Sequence, residues 1–182
     1  MGKNYYTADE HYGHDEIITY CNRPYRNNQV MTRDVIKRHN QVVKEGDTVY
    51  HIGDFAFAGP DRVTYVENLL RRLNGKHILI LGNHERINPL RLVDAGFWSV
   101  HTSLVIEEQG HKLVLAHDPS IWNCVANMDP LPIFLHGHIH NVWKTIVEKK
   151  MVNVGVDVWD FYPVSLEQIL KILGIEEVQK DG

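Results

Sequence analysis

The sequence predicts an α/β fold in which two sheets pack face to face and helices lie on the outside. In the first half of the 182-residue chain, short apolar runs alternate with segments of helical periodicity. In the second half, the short apolar runs follow one another closely. Polar fragments rich in Asp and His come directly after several of these runs. A chain of this length predicts one domain, spanning residues 1–182.

The first half of the chain carries the alternating pattern. The predicted strands are 5–8, 48–52 and 76–81, and the predicted helices are 15–21, 32–44 and a third that starts after Asp61. In that third helix Val66, Leu69 and Leu73 lie on one face, and Asp61 can cap its first turn. Gly75 then provides a stop signal.

The second half is predicted to be richer in strands. A hairpin is predicted around Gln109 and Gly110, because apolar segments flank this turn-forming pair. Its strands are 98–107 and 112–116, and further strands are predicted at 133–136, 142–147 and 151–154. A last helix starts at Ser165, where Gln168 three residues later completes a capping-box pattern. The tail 180–182 is expected to fray.

Composition and charge exclude several classes of protein. Nineteen basic and 23 acidic residues give a net charge of −4, which argues against an extended nucleic-acid surface. No apolar run is long enough to span a membrane, and the N-terminus lacks the apolar stretch of a signal peptide. Cys21 and Cys124 are predicted to be reduced thiols. Together these features predict a cytoplasmic protein without membrane partners.

Twelve histidines are unusual for this length, and their positions indicate a metal site. Five fragments each follow a predicted strand, and ligands collect beyond the carboxyl ends of strands in α/β sheets. They are residues 9–11, 53–54, 82–85, 117 and 137–140. Asp9 and His11 stand two apart on a segment predicted to be extended, so we expect their side chains to share one face.

The remaining fragments add oxygen and imidazole ligands for a second ion. Asp54, after Gly53, can place one carboxylate oxygen on each of two metals, and Asn83 offers an uncharged amide oxygen. His138 and His140 are again two apart, and His117 completes the set. Ligands of this mixed kind, without thiolates, favour Mn, Fe, Zn, Co or Ni over a structural zinc site.

In this order the fragments read D-x-H, G-D, G-N-H-[DE], H and G-H-x-H. The series resembles that of the calcineurin-like metallophosphoesterases, and residues 11–14, 21–24 and 153–157 resemble a small bacterial and phage branch. The resemblance implies a four-layer α/β/β/α sandwich with two mixed sheets. It assigns Asp9, His11 and His140 to one metal, Asn83, His117 and His138 to the other, and Asp54 to both.

The resemblance also implies a chemistry. Two divalent ions, Mn foremost, would hold a bridging hydroxide that attacks phosphorus in line. His84 would stabilise the transferring group and protonate the departing oxygen. The implied activity is that of a metal-dependent phosphoesterase, with phosphodiesters favoured over monoesters. Nucleotides and cyclic nucleotides are among the substrates expected.

Five further residues are candidates for supporting roles. His14 can approach a metal or phosphate or help to start a helix, and His51 can lie behind the ligands. Glu85 can orient His84 or a ligand. Arg23 and Arg86 can clamp a phosphate, although arginines are more often simply solvated.

Three other functions remain open. One is a phosphomonoesterase acting on nucleotides or phosphoproteins, although the stretch 53–56 lacks the longer, arginine-bearing motifs of the protein phosphatases in this family. Another is a non-catalytic metal-binding scaffold, which would be expected to lose ligands or the equivalent of His84. A third is a nuclease subunit that works with a partner ATPase. Because no domain is appended after Gly182, we expect no long built-in DNA-binding arm.

Overall fold

A computed structural model describes residues 2–57 and 62–176 of the chain. The described residues form an α/β fold with two mixed five-stranded sheets flanked by helices, as predicted. The proposed helix cap Asp61 and the tail 180–182 lie outside the described residues. Within these ranges no helix combines the length and the apolar character needed to cross a membrane. Cys21 and Cys124 are both free thiols.

The first sheet places three of the predicted strands side by side. Its strands are β1 (Asn4–Thr7), β2 (Thr48–Ile52), β3 (Lys76–Ile80), β4 (Ser99–His101) and β10 (Val164–Ser165), in the order β10-β1-β2-β3-β4. β1 to β4 run parallel and β10 is antiparallel to β1. The carboxyl ends of the parallel strands therefore meet at one edge.

The second sheet is built from the strand-rich half. Its strands are β5 (Leu104–Glu108), β6 (His111–Leu115), β7 (Ile133–His136), β8 (Thr145–Ile146) and β9 (Met151–Asn153), in the order β5-β6-β7-β9-β8. β6, β7 and β9 are parallel to one another. A bridge between Ala8 and Gly155 joins the chain just past β1 to the chain just past β9. The carboxyl ends of parallel strands from both sheets are thereby brought together.

The helices cover the first sheet and close the space between the sheets. They are α1 (Glu16–Tyr20), α2 (Asn28–Val42), α3 (Arg62–Leu70), α4 (Pro89–Asp94) and α5 (Leu166–Leu173). Helices α1 to α4 pack with Leu79 of β3 in one apolar cluster. Helix α5 contributes its apolar stripe to the cluster between the sheets. On the far side of the second sheet, Trp122 and Trp143 pack against Phe134.

Local capping and turn signals act as predicted. The hairpin between β5 and β6 turns at Gln109 and Gly110, both with positive φ. In α5 the Gln168 side chain accepts a hydrogen bond from the Ser165 N–H at 3.0 Å. Helix α2 begins four residues earlier than predicted, because the Asn27 side chain accepts from the Val30 N–H and caps it there.

Other predicted boundaries were wrong. The predicted strand 98–107 is two strands, since the chain bends at Thr102 and Ser103 and passes from the first sheet to the second. The predicted strand 142–147 shrinks to Thr145–Ile146 before a 3-10 turn. Helix α4 and strand β10 were not predicted. A continuous apolar pattern does not record which sheet a strand joins, so these differences depend on tertiary contacts.

Candidate metal centre

The five polar fragments lie together where parallel strands of both sheets end. They follow β1, β2, β3, β6 and β7 within two residues. This is the position expected for a ligand site in an α/β sheet. The fold therefore brings together every fragment that the sequence singled out.

A first group consists of Asp9, His11 and His140, whose ligand atoms lie within 4.8 Å of one another. Asp9 and His11 are fully buried. We expected Asp9 and His11 to lie on an extended segment, and this was wrong. Their φ angles are 58° and 51°, which places both residues in the left-handed region. Their backbone N–H groups instead donate to the carbonyls of Gly53 and Asp54, both at 3.0 Å. The side chains converge through this left-handed turn and not through strand alternation.

A second group surrounds the amide oxygen of Asn83. Its Oδ1 lies 3.0 Å from Nε2 of His117 and 2.9 Å from Nδ1 of His138. Asp54 stands between the groups, with Oδ2 at 3.3 Å from His117 Nε2 and 3.6 Å from His11 Nε2. A single carboxylate oxygen, Oδ2, thus faces an imidazole nitrogen of each group, whereas we expected one oxygen for each metal. The other oxygen, Oδ1, accepts a hydrogen bond from the His84 backbone N–H at 2.9 Å and is therefore already used.

The backbone of this centre is strained. The residues in the left-handed region include Asp9, His11, Asp54, His138 and His140, with φ between 48° and 75°. Such a conformation costs a non-glycine residue of the order of 1–3 kcal/mol and persists only where surrounding contacts enforce it. Five of the seven predicted ligands share it, so the surrounding residues hold these side chains against local preference.

Glu85 provides part of that support. Its carboxylate accepts hydrogen bonds from the backbone N–H groups of Asp54 at 2.9 Å, Phe55 at 2.7 Å and Gly82 at 2.6 Å. Glu85 therefore ties the loop after β2 to the loop after β3 and acts on a ligand loop, not on the His84 ring. A Cβ on Gly82 would lie 2.2 Å from Asp54 Oδ1, so only glycine permits this approach.

His84 approaches the centre from the solvent side. Its Nε2 lies 4.0 Å from Asp54 Oδ2, and its side chain is 33% exposed. Its Nδ1 is buried and has no hydrogen-bond partner among the described residues. The ring makes edge contacts with His11 and Phe57. This position lets the imidazole reach a molecule bound at the centre while it remains outside both ligand groups.

His14 lies beside His11 and orients it. The Nδ1 atoms of the two rings are 3.1 Å apart, which leaves His11 Nε2 facing Asp54. His14 also stacks on Phe57, with ring centroids 4.2 Å apart. It does not cap α1, whose first turn lacks a side-chain cap.

Arg23 and Arg86 do not occupy phosphate-clamping positions. Arg23 is buried, and its guanidinium donates to Asp157 at 2.7 and 2.8 Å, to the Asp9 carbonyl at 2.7 Å and to the Glu10 carbonyl at 3.0 Å. Arg86 is exposed and lines neither of the clefts at the centre. Arg23 is not available to clamp a phosphate, because its N–H donors are already used by protein groups.

His51 lies deeper in the protein, behind the centre. It is fully buried and contacts the Glu10 carboxylate through Nδ1 and His77 through Nε2, the latter at 3.0 Å. Burial lowers the pKa of His51 to about 3. His77 is a buried residue of β3. His51 thus supports the segment that carries Asp9 and His11.

Asp157 is a residue of the centre that sequence reasoning missed. Its Oδ2 lies 3.1 Å from Nδ1 of His140, and both of its oxygens accept from Arg23. Its oxygen also lies within 4.8 Å of Cys21 Sγ and a His140 nitrogen. The only signal in the sequence was the resemblance of residues 153–157 to one branch of a family, which assigned no role to this carboxylate.

The electrostatics of the centre couple carboxylates to imidazoles. Burial opposes ionisation of Asp54, but hydrogen bonds from His117 and the His84 N–H lower its pKa to about 2. Burial would lower the pKa of His117, yet contact with Asp54 and the charge of Asp9 raise it to about 9. In the same way Asp157 and Cys21 outweigh burial and raise the pKa of His140 to about 10. The centre therefore favours positive charge.

The residues fit divalent cations. Asp9 and Asp54 are buried carboxylates, and buried charges are normally paired or coordinate metals. Within the described part of the chain, His11 Nε2 is buried without a hydrogen-bond partner although it faces the centre. An unpartnered imidazole nitrogen beside two buried carboxylates is the environment that a bound cation would complete.

Two clefts open onto the centre from different sides. The larger has a volume of about 420 Å³ and is lined by His11, His84 and His140 together with the exposed side chains of Tyr20 and Val142. The smaller, about 150 Å³, is lined by Asn83, His117 and Asp118, among others. His138 lines both clefts. A bound molecule can therefore extend from the centre in two directions.

Known proteins resemble this chain over most of its length. An uncharacterized protein of Methanocaldococcus jannaschii is 34% identical over 178 residues, which covers 95% of this chain and 92% of the relative. A protein of unknown function from Aquifex aeolicus has a TM-score of 0.74 at 22% identity, covering 94% of this chain and 100% of that one. A novel archaeal phosphodiesterase has a TM-score of 0.55 at 20% identity, covering 84% of this chain and 83% of that one. No family model matches the chain.

Proposed function

We propose that the chain is a member of the calcineurin-like metallophosphoesterase superfamily, that it hydrolyses phosphoesters with the help of two divalent metal ions, and that it prefers phosphodiesters. The observation that carries this proposal is the position of Asp54, whose Oδ2 faces His11 on one side and His117 on the other. A carboxylate placed in this way can serve two cations at once. The likeness in fold to an archaeal phosphodiesterase supports the same reaction class.

The proposed metal ligands are those that the motif series assigned. Asp9, His11 and His140 would hold one ion, and Asn83, His117 and His138 the other, with Asp54 shared between them. When bound, two such ions lower the pKa of a water and offset the charge of the phosphate group. We propose Mn²⁺ as the ion, because the ligand set combines oxygens and imidazoles and lacks a well-placed thiolate pair.

His84 is the proposed general acid. His84 and His14 both line the larger cleft without belonging to either ligand group, but the His84 side chain is 33% exposed and its Nε2 lies 4.0 Å from Asp54 Oδ2, whereas the His14 side chain is only 10% exposed. Its backbone N–H donates to Asp54 Oδ1 at 2.9 Å, which holds the main chain of His84 beside the centre. A proton delivered by the ring to the departing oxygen is worth about 10²–10⁴ in rate.

The two clefts support a diester substrate. A phosphodiester carries two ester groups on one tetrahedral phosphorus, and each needs room in its own direction. The clefts of about 420 and 150 Å³ provide that room on either side of His138. Neither cleft, as far as the described residues show, is lined by Arg or Lys, whose charge would favour the more negative monoester.

The test compares a diester with a monoester. Bis-p-nitrophenyl phosphate and p-nitrophenyl phosphate are offered to the protein with Mn²⁺ and with chelator, beside Asp54→Ala. Asp34→Ala serves as the matched control, since Asp34 pairs with Arg38 on α2. We expect Mn²⁺-dependent cleavage of the diester that is abolished in Asp54→Ala and retained in Asp34→Ala. Cleavage of the monoester alone would overturn the diester preference, and metal binding without turnover would favour the scaffold hypothesis.

A further inference from the structure

Asp157 lies between a predicted metal ligand and a buried cation. Its side chain is 3% exposed and that of Arg23 is completely buried. One of its oxygens, Oδ2, is 3.1 Å from His140 Nδ1 and 2.8 Å from Arg23 Nη2. The other, Oδ1, is 2.7 Å from Arg23 Nε. The Arg23 guanidinium therefore donates to both carboxylate oxygens of Asp157, and one of these oxygens also contacts the His140 imidazole.

The same guanidinium reaches the opposite side of the first ligand group. Arg23 donates to the backbone carbonyls of Asp9 at 2.7 Å and Glu10 at 3.0 Å. These carbonyls belong to the left-handed turn that carries Asp9 and His11. A single buried side chain therefore touches the turn that presents two predicted ligands and, through Asp157, the third.

This arrangement determines which nitrogen of His140 can face a cation. With Nδ1 directed at Asp157, Nε2 is the nitrogen left to face Asp9 and His11. A carboxylate that accepts from the other ring nitrogen of a metal-binding histidine fixes its tautomer and ring orientation.

We propose that Asp157 and Arg23 are positioning residues that set the affinity of the first metal site by orienting His140 and the Asp9–His11 turn. The inference rests on the proposed function, because it assigns these residues to a metal of that centre. It gives Arg23 a role other than phosphate binding. Among the described residues, Asn83, His117 and His138 make no hydrogen bond to Asp157 or Arg23, so we expect a larger effect at the first site than at the second.

The experiment is a calorimetric titration of chelator-stripped protein with Mn²⁺. Wild type is expected to bind two ions. Asp157→Asn is expected to weaken one of the two binding steps about 10- to 100-fold and to leave the other within about threefold. Activity of Asp157→Asn should return when Mn²⁺ is raised to saturate the weakened step. Asp34→Asn, which removes the charge of the half-buried pair with Arg38, should leave both steps unchanged.

Several outcomes would overturn the inference. If Asp157→Asn binds both ions as wild type does, Asp157 does not position a ligand. If it weakens both steps equally and lowers the melting temperature of the stripped protein, its role is merely structural. If Asp157→Asn fails to fold, the same titration is made with Arg23→Lys. Lysine keeps a positive charge beside Asp157 but cannot donate to both carboxylate oxygens as the guanidinium does. If the wild-type protein binds no Mn²⁺, both the positioning role of Asp157 and Arg23 and the proposed function are overturned. The other outcomes overturn the positioning role alone.

Discussion

The backbone N–H of His84 donates to Oδ1 of Asp54 at 2.9 Å, so the proposed general acid and the proposed bridging ligand are joined directly. The other carboxylate oxygen of Asp54 remains directed at His11 and His117. Any shift of the loop after β3 would therefore move His84 and Asp54 together. This coupling makes it important to test acid catalysis and metal binding separately.

The first prediction concerns His84→Gln. We expect kcat to fall by about 10²–10⁴ for a diester with an alkyl leaving group, which needs a proton. The loss should be smaller for bis-p-nitrophenyl phosphate, because p-nitrophenolate leaves more readily without one. Steady-state kinetics on both substrates measure the difference. His101→Gln, on β4, is the control, and Mn²⁺ binding should be unchanged in both variants. Equal losses on both substrates would argue against acid catalysis.

The second prediction concerns Glu85→Gln. The Glu85 carboxylate accepts from three backbone N–H groups with two oxygens, whereas the side chain of the introduced glutamine has one acceptor oxygen. Its NH₂ group would then face at least one of these N–H groups. Leaving buried donors unpaired should lower the free energy of unfolding by about 1–3 kcal/mol. Urea denaturation of the chelator-stripped protein measures this change in the free energy of unfolding. Glu67→Gln, which removes an exposed pair with Arg71, should cost less than about 1 kcal/mol. Similar values for the two variants would show that Glu85 does not support the loops.

The third prediction concerns stability in acid. Burial lowers the pKa of His39 to about 4, below the value of about 6.5 expected in the unfolded chain. Between these values the unfolded state binds more protons than the native state. Stability is therefore complete above pH 6.5 and is lost as the pH falls, by about 2 kcal/mol from His39 at pH 5.

His39→Gln tests this contribution of His39. Glutamine keeps a donor for the Asn74 carbonyl, which His39 Nε2 contacts at 2.9 Å, and cannot titrate. The variant should lose about 2 kcal/mol less than wild type between pH 7.5 and pH 5. Urea unfolding at the two pH values measures the difference. Identical pH dependence would mean that His39 titrates normally in the native state.

The fourth prediction concerns metal removal. Ions that bind only the native state stabilise it, by about 2.7 kcal/mol at a concentration 100 times the dissociation constant. Mn²⁺ added to stripped protein should therefore raise its melting temperature, and chelator should reverse the change. Asp54→Ala should show little rise, whereas Asp34→Ala should respond like wild type. A similar rise in Asp54→Ala would place the stabilising ions elsewhere.

Much of the fold and the location of the centre could be predicted from local patterns. Apolar runs closed by Asp, Gly or His mark both a strand and its end, so the polar fragments could be assigned to one edge. The hairpin at Gln109 and Gly110 and the cap at Gln168 are equally local. Features that depend on distant contacts were missed, among them the break at Thr102 and Ser103 between the two sheets.

The sequence by itself predicted the reaction class and the set of candidate ligands, because the motif series and its placement after strands are properties of the chain order. Only the tertiary structure decided how the ligands converge. The side chains of Asp9 and His11 converge because their backbone is left-handed. The local amino-acid sequence does not distinguish this conformation from an extended strand. Arg23 and Asp157 are 134 positions apart and contact each other at 2.7 Å. A long-range buried contact of this kind decides whether an arginine binds substrate or supports the centre, since its donors can be used only once.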